Sequence, residues 1–202
     1  MDFIGNKLVL DMAYDDIEVE VKVHLTKKKF DEVEKKLKKI AKFIKTSSQI
    51  DDYYSPAHRN FAKPKYPYEW LSVRKRDAGF KINYKHWYPE GIKETTHCDE
   101  FETGVEDVSK LEKILKALDI KKIVTVNKTR RVYLYKNEIE IAMDTVKDLG
   151  YFIEAEAMKD MGGVKKTREY LIKFLNSFGI LKMETIPGGY ASGMMRKKGL
   201  VK

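Results

Sequence analysis

The chain has 202 residues, 43% of them hydrophobic and 35% charged, enough apolar content for a soluble protein with a sizeable core. It contains no apolar run of spanning length and no signal-peptide pattern at its start, and its single Cys98 forbids an internal disulfide; a membrane span and a disulfide scaffold are excluded, and a reducing, cytoplasmic setting is expected. The net charge of +9 calls for an anionic partner: nucleic acid, a membrane surface or a phosphorylated small molecule.

Residues 17–25, IEVEVKVHL, alternate as a strand, with Glu18, Glu20, Lys22 and His24 on one face and Ile17, Val19, Val21 and Val23 on the other. Residues 27–45 read as an amphipathic helix, in which Phe30, Val33, Leu37, Ile40, Ala41 and Ile44 recur at helical spacing and lysines fill the solvated face. QIDDYY at 49–54 reads as a short strand, and the Pro-rich stretch 55–68 as a surface loop. The acidic pairs Asp15-Asp16 and Asp51-Asp52 lack calcium-loop spacing and read as turns.

WLSVRKR (70–76) and FKINYKHW (80–87) predict a hairpin around Asp77-Ala78-Gly79. A strand near 97–103 precedes a helix near 107–118 carrying Val108, Leu111, Ile114, Leu115 and Leu118. Residues 123–135 and 138–146 predict a second hairpin around Lys136-Asn137, YFIEAEA at 151–157 a further strand, and 164–178 a third helix ending at Gly179. The tail from Pro187 on has no clear period. Together these elements predict one α+β domain over 1–202: a closed, mostly antiparallel eight-stranded β-barrel spanning about 17–157, with helices packed outside and a C-terminal helix and tail over 162–202. A closed barrel removes sheet edges and gives every strand an inner face.

Three times, two glutamates stand two residues apart in a strand-like stretch: Glu18/Glu20, Glu100/Glu102 and Glu154/Glu156. Residues i and i+2 of a strand face the same side, so each pair puts two carboxylates on one surface. Arg74/Arg76, Lys81/Lys85 and Lys128/Arg130 obey the same period. One such pair alone is an ordinary solvated strand edge. Three of them among strands that also carry paired cations predict a cavity suited to a metal-bound polyphosphate, with carboxylates for Mg²⁺ or Mn²⁺ and Arg/Lys for phosphate oxygens. The four histidines and one cysteine show no zinc-ligand spacing, and no Gly-rich phosphate loop is present, so any phosphate grip must come from side chains.

The ordered series resembles the CYTH superfamily, the triphosphate tunnel metalloenzymes, and within it the class IV adenylyl cyclases. The resemblance opens on E-x-E-x-K (Glu18, Glu20, Lys22) and continues through Gln49, Asp51, Tyr53, Tyr54, Pro56, Arg59 and Phe61. Next come Glu69, Leu71, Val73 and Arg74, then Tyr84-Lys85, Glu100 and Glu102, and Lys128, Arg130 and Tyr133. It closes on D-x-V-x-x-L-G-x-F-x-E-x-E (Asp144, Val146, Leu149, Gly150, Phe152, Glu154, Glu156) and reaches as far as Tyr190. The chain departs from the pattern at Ser72 and Cys98, where the family carries arginines, and at Asn60, where it carries Asp; Arg76 stands on the face of the missing first-strand arginine.

The resemblance implies a triphosphate threaded through the barrel. Glu18, Glu20, Glu100, Glu102, Asp144, Glu154 and Glu156 are then the metal ligands, and Lys22, Arg74, Arg76, Lys85, Lys128 and Arg130 the triphosphate-binding groups. Lys22, Arg130 and Asp144 carry the catalytic roles. The implied reaction is cyclisation of ATP to cyclic AMP and pyrophosphate. The alternative is hydrolysis of tripolyphosphate, thiamine triphosphate or a nucleotide, and a homodimer is compatible with either. A second class, a non-catalytic module binding a phosphorylated ligand or RNA, would draw on the basic balance and on Tyr66, Tyr68, Trp70 and Trp87 as stacking platforms; no RNA-binding motif accompanies them, and packing is the expected role of these rings and of His24. Inward carboxylates favour the enzyme, because a pure anion binder gains nothing from them.

Overall fold

Strand-forming alternation runs far enough along this chain to wrap a sheet round on itself. The computed structural model describes residues 17–180 and 188–201. In chain order the elements are β1 (Ile17–Glu18), β2 (Glu20–Leu25), α1 (Lys27–Ile40), β3 (Lys42–Pro56), β4 (Glu69–Arg76), β5 (Gly79–Tyr88) and β6 (His97–Val105). Then follow α2 (Val108–Ala117), β7 (Ile120–Tyr135), β8 (Ile139–Val146), β9 (Gly150–Ala157), α3 (Val164–Asn176) and α4 (Gly189–Lys197). The strands pair in the order β1-β6-β5-β4-β3-β7-β8-β9-β2, antiparallel throughout.

The two ends of that order, β1 and β2, are halves of one extended segment parted at Val19. β1 pairs β6 and β2 pairs β9, so this segment bridges the ends and the barrel is nearly closed. Among the described residues nine strands are present where eight were expected, because 17–25 changes partner in mid-course. The valines of that segment face outward: Val19, Val21 and Val23 join Ile139, Ile141, Met143, Ile153 and Ala155 in an apolar layer. α1 covers it with Phe30, Val33 and Leu37, and α3 with Leu171 and Leu175. Among the described residues no helix is long and apolar enough to cross a membrane.

Local signals set the turns. Thr26 caps α1 by accepting a hydrogen bond from Lys29 N (3.2 Å), and Asp107 caps α2 through Lys110 N (2.9 Å). Lys136 and Asn137 both take positive φ, +54° and +56°, the conformation a two-residue hairpin turn demands.

Several expectations are corrected. α1 stops at Ile40 rather than 45. Residues 42–45 instead open β3, whose ladder with β7 begins at Lys42–Leu134, and Ile40, Phe43 and Ile44 are exposed. The apolar spacing fitted a helix, but the long β7 partner outweighed it. QIDDYY is the middle of a fifteen-residue strand. Asp51 and Asp52 are therefore strand residues and not a turn, while Asp15-Asp16 lies outside the described residues. The 55–68 stretch is not simply a surface loop: Phe61 is buried, its N–H donating to Ser55 Oγ at 2.9 Å. In α2, Ile114 and Leu118 are exposed and only Leu115 is buried. The tail without a period forms α4, which seats Tyr190, Met194 and Met195 against Trp70, Val124, Val126, Val146 and Phe152.

Candidate active site inside the barrel

In an antiparallel ladder, directly opposed residues share a face. The register therefore carries the paired charges of neighbouring strands to one side. Glu20 opposes Glu156, and Lys22 opposes Glu154. Arg130 opposes Asp144, Asp51 opposes Arg74, and Lys85 opposes Glu100. That side is the barrel interior, where these residues, except the fully buried Asp144 behind Arg130, line a cavity of about 390 Å³, a size suited to a small-molecule ligand. At one end the interior is filled by the apolar contacts of α4, and Tyr53, Trp70 and Trp87 form an aromatic wall of the cavity.

Inside, cations and carboxylates pair in clusters on facing walls. Lys22 Nζ lies 2.8 Å from both Glu20 and Glu154. Arg130 donates to both oxygens of Asp144, Nε to Oδ1 at 2.8 Å and Nη2 to Oδ2 at 2.6 Å, and Nη2 also reaches Glu154 at 3.0 Å. Lys128 adds a second cation to Asp144 at 3.6 Å. On the opposite wall Arg74 Nη1 bridges Glu100 (2.9 Å) and Glu102 (2.8 Å), Lys81 meets Glu102 at 2.5 Å, and Lys85 pairs with Glu18 and, at 3.4 Å, Glu100. Arg76 is held by Asp51 at 2.5 Å.

Burial and neighbours set the protonation of these groups. Burial opposes charging of Glu154, but Arg130, Lys22 and Lys128 outweigh it and hold its carboxyl well below the usual range. Asp144 is lowered in the same way by Arg130 and Lys128. Lys22 is raised, since Glu154 and Glu20 outweigh its desolvation. Lys128 goes the other way: burial and then Arg130 pull it down to about 8. Glu156 is pushed up to about 7 by burial and then by Glu154, with Glu20 and Glu140 adding to the effect.

All thirteen residues read as site residues from the sequence lie on the inner face or its rim, in two groups. Glu20, Lys22, Lys128, Arg130, Asp144, Glu154 and Glu156 sit on β2, β7, β8 and β9. Glu18, Arg74, Arg76, Lys85, Glu100 and Glu102 sit on β1, β4, β5 and β6. Glu102 is the most open of them. His24 packs on Phe152, with ring centroids 5.0 Å apart. The two interior positions without an arginine behave differently: Ser72 is a buried interior residue, whereas Cys98, also buried, places Sγ 3.6 Å from Glu18.

Four participants were given no site role by the sequence reading. Asp51 is buried and holds Arg76. Asn83 donates to Glu100 at 2.5 Å. Glu140 faces Glu156 across β8 and β9, and Tyr190 donates its hydroxyl to Asp144 at 2.8 Å. Strand parity could have found the first three: Ser47-x-Gln49-x-Asp51-x-Tyr53, Lys81-x-Asn83-x-Lys85 and Glu140-x-Ala142-x-Asp144 alternate visibly. Tyr190 comes from α4 and has no such signal.

Among the described residues no three His, Cys, Asp or Glu side chains converge on one point, because a lysine or arginine stands between the carboxylates. The donor set nevertheless suits a hard divalent cation. Every ligand is a carboxylate oxygen, and among the described residues Glu156 and Glu140 make no ion pair while sharing a wall with Glu20 and Glu154. Burial, and after it that surplus of negative charge, raises Glu156. A divalent ion there would relieve it.

Comparison with known proteins agrees with this architecture. The CYTH domain family model matches residues 16–190. A candidate adenylate cyclase of Methanocaldococcus jannaschii is 34% identical over 176 residues, covering 86% of this chain and 96% of that protein. The solved structure of a Pyrococcus horikoshii OT3 protein superposes with a TM-score of 0.73 at 27% identity, over 89% of this chain and 99% of that one. A candidate adenylyl cyclase from Hippeastrum, described as having a dominant triphosphatase activity, shares the fold with a TM-score of 0.62 at 16% identity, over 91% and 95% of the two chains.

Proposed function

Because the chain belongs to the CYTH domain family, whose triphosphate tunnel enzymes are metal-dependent, we propose that it cyclises ATP to cyclic AMP and pyrophosphate inside the barrel, in the cytoplasm. The observation that carries this reading is one cavity holding both a charged centre and an aromatic wall of Tyr53, Trp70 and Trp87. A polyphosphate needs the first, and a nucleoside gains from the second. The 34% identical relative supports the same choice.

Lys22, Arg74, Arg76, Lys85, Lys128 and Arg130 bind phosphate oxygens, with the arginines able to do so bidentately. Glu18, Glu20, Glu154 and Glu156, with Glu100, Glu102 and Asp144, would hold Mg²⁺ or Mn²⁺. When bound, such an ion polarises phosphoryl oxygens and neutralises the leaving group. The ribose 3′-hydroxyl releases its proton to solvent as its oxygen bonds the α-phosphorus, the bond from that phosphorus to the bridging oxygen breaks, and pyrophosphate leaves. Negative charge grows on that bridging oxygen, and Lys22 and Arg130, already fixed by carboxylates, meet it without reorganising. Asp144, kept ionised, holds the guanidinium of Arg130 turned into the cavity.

A second reading, hydrolysis of the terminal phosphate of a triphosphate, uses the same residues with water as the attacker. It is favoured by the fold likeness to the Hippeastrum protein and by Ser72 and Cys98, which leave two interior positions without the cation that would help fix a nucleotide. Incubation with Mg²⁺ or Mn²⁺ and ATP, tripolyphosphate or thiamine triphosphate, followed by chromatography, separates the two. Cyclic AMP with pyrophosphate supports cyclisation, and orthophosphate supports hydrolysis. No turnover of any of these with either metal overturns both.

A further inference from the structure

Not every cation lining the cavity comes from a strand. Arg168 belongs to α3, a helix outside the barrel that anchors itself through Thr167, Leu171 and Leu175 over the layer formed by β2 and β9. Arg168 nevertheless lines the same cavity as Glu20, Glu154 and Glu156. Its Nε is buried with no hydrogen-bond partner, and the side chain makes no ion pair among the described residues. The strand cations of the cavity contrast with it: Lys22, Arg74, Arg76, Lys85, Lys128 and Arg130 each already hold a carboxylate.

A buried guanidinium donor without a partner destabilises the empty protein. The planar fork of an arginine fits phosphate oxygens in two-point contact. An anion in the cavity would supply what Arg168 lacks, whereas the donors of the strand cations are already engaged by carboxylates. We infer that Arg168 is a further phosphate-binding residue, one that engages the phosphate chain from outside the barrel and thereby favours three-phosphate chains over two-phosphate ones. This rests on the proposed function, since it presumes that a polyphosphate enters the cavity.

The test is calorimetric titration of the full chain with tripolyphosphate and with pyrophosphate, alongside thermal melts. Loss of one charge-assisted contact predicts that Arg168→Ala weakens tripolyphosphate binding about ten-fold or more, with a smaller loss for pyrophosphate. Arg168→Lys should recover part of the affinity, as it restores the charge but not the fork. Lys165→Ala, an exposed change on the same helix, should leave both affinities at the wild-type values. The melting temperature of Arg168→Ala should hold or rise, because the lost Nε had no partner. If Arg168→Ala binds tripolyphosphate within about two-fold of wild type while Arg130→Ala does not bind it, the inference fails and the proposed function survives. An equal loss for both anions removes the chain-length part of the inference. If the wild type binds neither anion, both readings fall. Should Arg168→Ala not fold, Arg168→Gln takes its place under the same criteria.

Discussion

Arg130 and Asp144 form a two-point pair inside the barrel, Nε–Oδ1 2.8 Å and Nη2–Oδ2 2.6 Å, with the Asp144 side chain fully buried. The pair is closed on its other side by the Tyr190 hydroxyl, which also bonds Asp144 Oδ2. A guanidinium so fixed cannot swing to meet a substrate. It must already point where phosphate charge develops, which is the property a preorganised site needs. The same fixation ties function to stability, because each partner is buried only by virtue of the other.

Arg130→Ala should therefore lower kcat/KM for the preferred triphosphate by about 2–4 kcal/mol of transition-state stabilisation. It should also lower stability by about 3–5 kcal/mol, since Asp144 and Glu154 both lose a buried cation. Steady-state kinetics and denaturant melts read the two effects. An unchanged kcat/KM in a folded variant would show that Arg130 does not touch the reacting phosphates.

Glu154 and Glu156 belong to one E-x-E pair but should respond oppositely to the same change. Glu154 has a depressed pKa and holds Lys22 and Arg130, so Glu154→Gln should destabilise the fold. Glu156 has a folded pKa raised to about 7 against an unfolded value near 4.3, so the folded state binds the extra proton between those values. Its contribution to stability thus falls as pH rises through that window. Glu156→Gln should stabilise the metal-free protein at pH 7 by on the order of 1–3 kcal/mol and flatten the pH profile between about 4 and 7. Both variants should lose metal-dependent turnover. A melt in which both shift the same way would contradict the arrangement.

If the carboxylates serve a metal, excess EDTA should end turnover of every triphosphate while leaving the circular dichroism spectrum unchanged, because Lys22, Arg74, Lys85 and Arg130 already hold the carboxylates together without it. Wild-type rates in EDTA would exclude the metal from the chemistry.

Much of this site was legible because strands write their faces in a two-residue period. Glu18-x-Glu20-x-Lys22, Arg74-x-Arg76, Lys128-x-Arg130 and Glu154-x-Glu156 each keep the period, and antiparallel register then had to bring them onto one face. What the period does not encode is who faces whom. Lys22 meets Glu154 across the β2/β9 ladder, Lys85 reaches Glu18 across β6, and Glu156 faces Glu20 and Glu140 rather than a cation, all of which depend on register. Helix-borne participants carried no periodic signal, Tyr190 entering only as the far end of the family resemblance. Tyr190 and Arg168 come from helices whose apolar spacing reports only what they pack against, not which cavity a polar residue reaches. At the start of β3, Phe43 and Ile44 continued the apolar spacing of α1, and the competing signal, a sixteen-residue β7 waiting to pair, lay some ninety residues away. Segment 17–25 was read as one strand; its change of partner at Val19 depends on where β6 and β9 end in space.

Lys128 should make anion binding pH-dependent. Burial and Arg130 bring it down to about 8, so it loses its charge in the empty tunnel as pH rises through that value. A polyphosphate binds the charged form and raises the pKa back, so binding near pH 8 should take up a proton and affinity should fall above it. Calorimetry in two buffers of different ionisation enthalpy reads the uptake directly. Lys128→Gln should bind more weakly below pH 8 and lose this pH dependence; an uptake unchanged in that variant would assign the proton elsewhere.

The last prediction reports the tunnel without requiring the right substrate. Tripolyphosphate should bind the folded state alone, so the melting temperature should rise with the logarithm of its concentration. At 100-fold excess over Kd the gain is about 2.7 kcal/mol, or roughly 2–4 °C for a domain of this size. Lys22 sits between Glu20 and Glu154 at 2.8 Å from each, and reversing it would leave a cluster of uncompensated carboxylates at that wall. Lys22→Glu should abolish the shift; Lys22→Gln, which disturbs the empty protein less, should reduce it. Lys35 and Lys39 lie on the exposed face of α1, away from the cavity, and their reversal to Glu should leave the shift intact. A generic basic surface would give the reverse ranking, with the α1 lysines decisive and Lys22 silent. That ranking would remove the barrel interior as the binding site and return the basic face of α1, and with it a nucleic-acid partner, to first place.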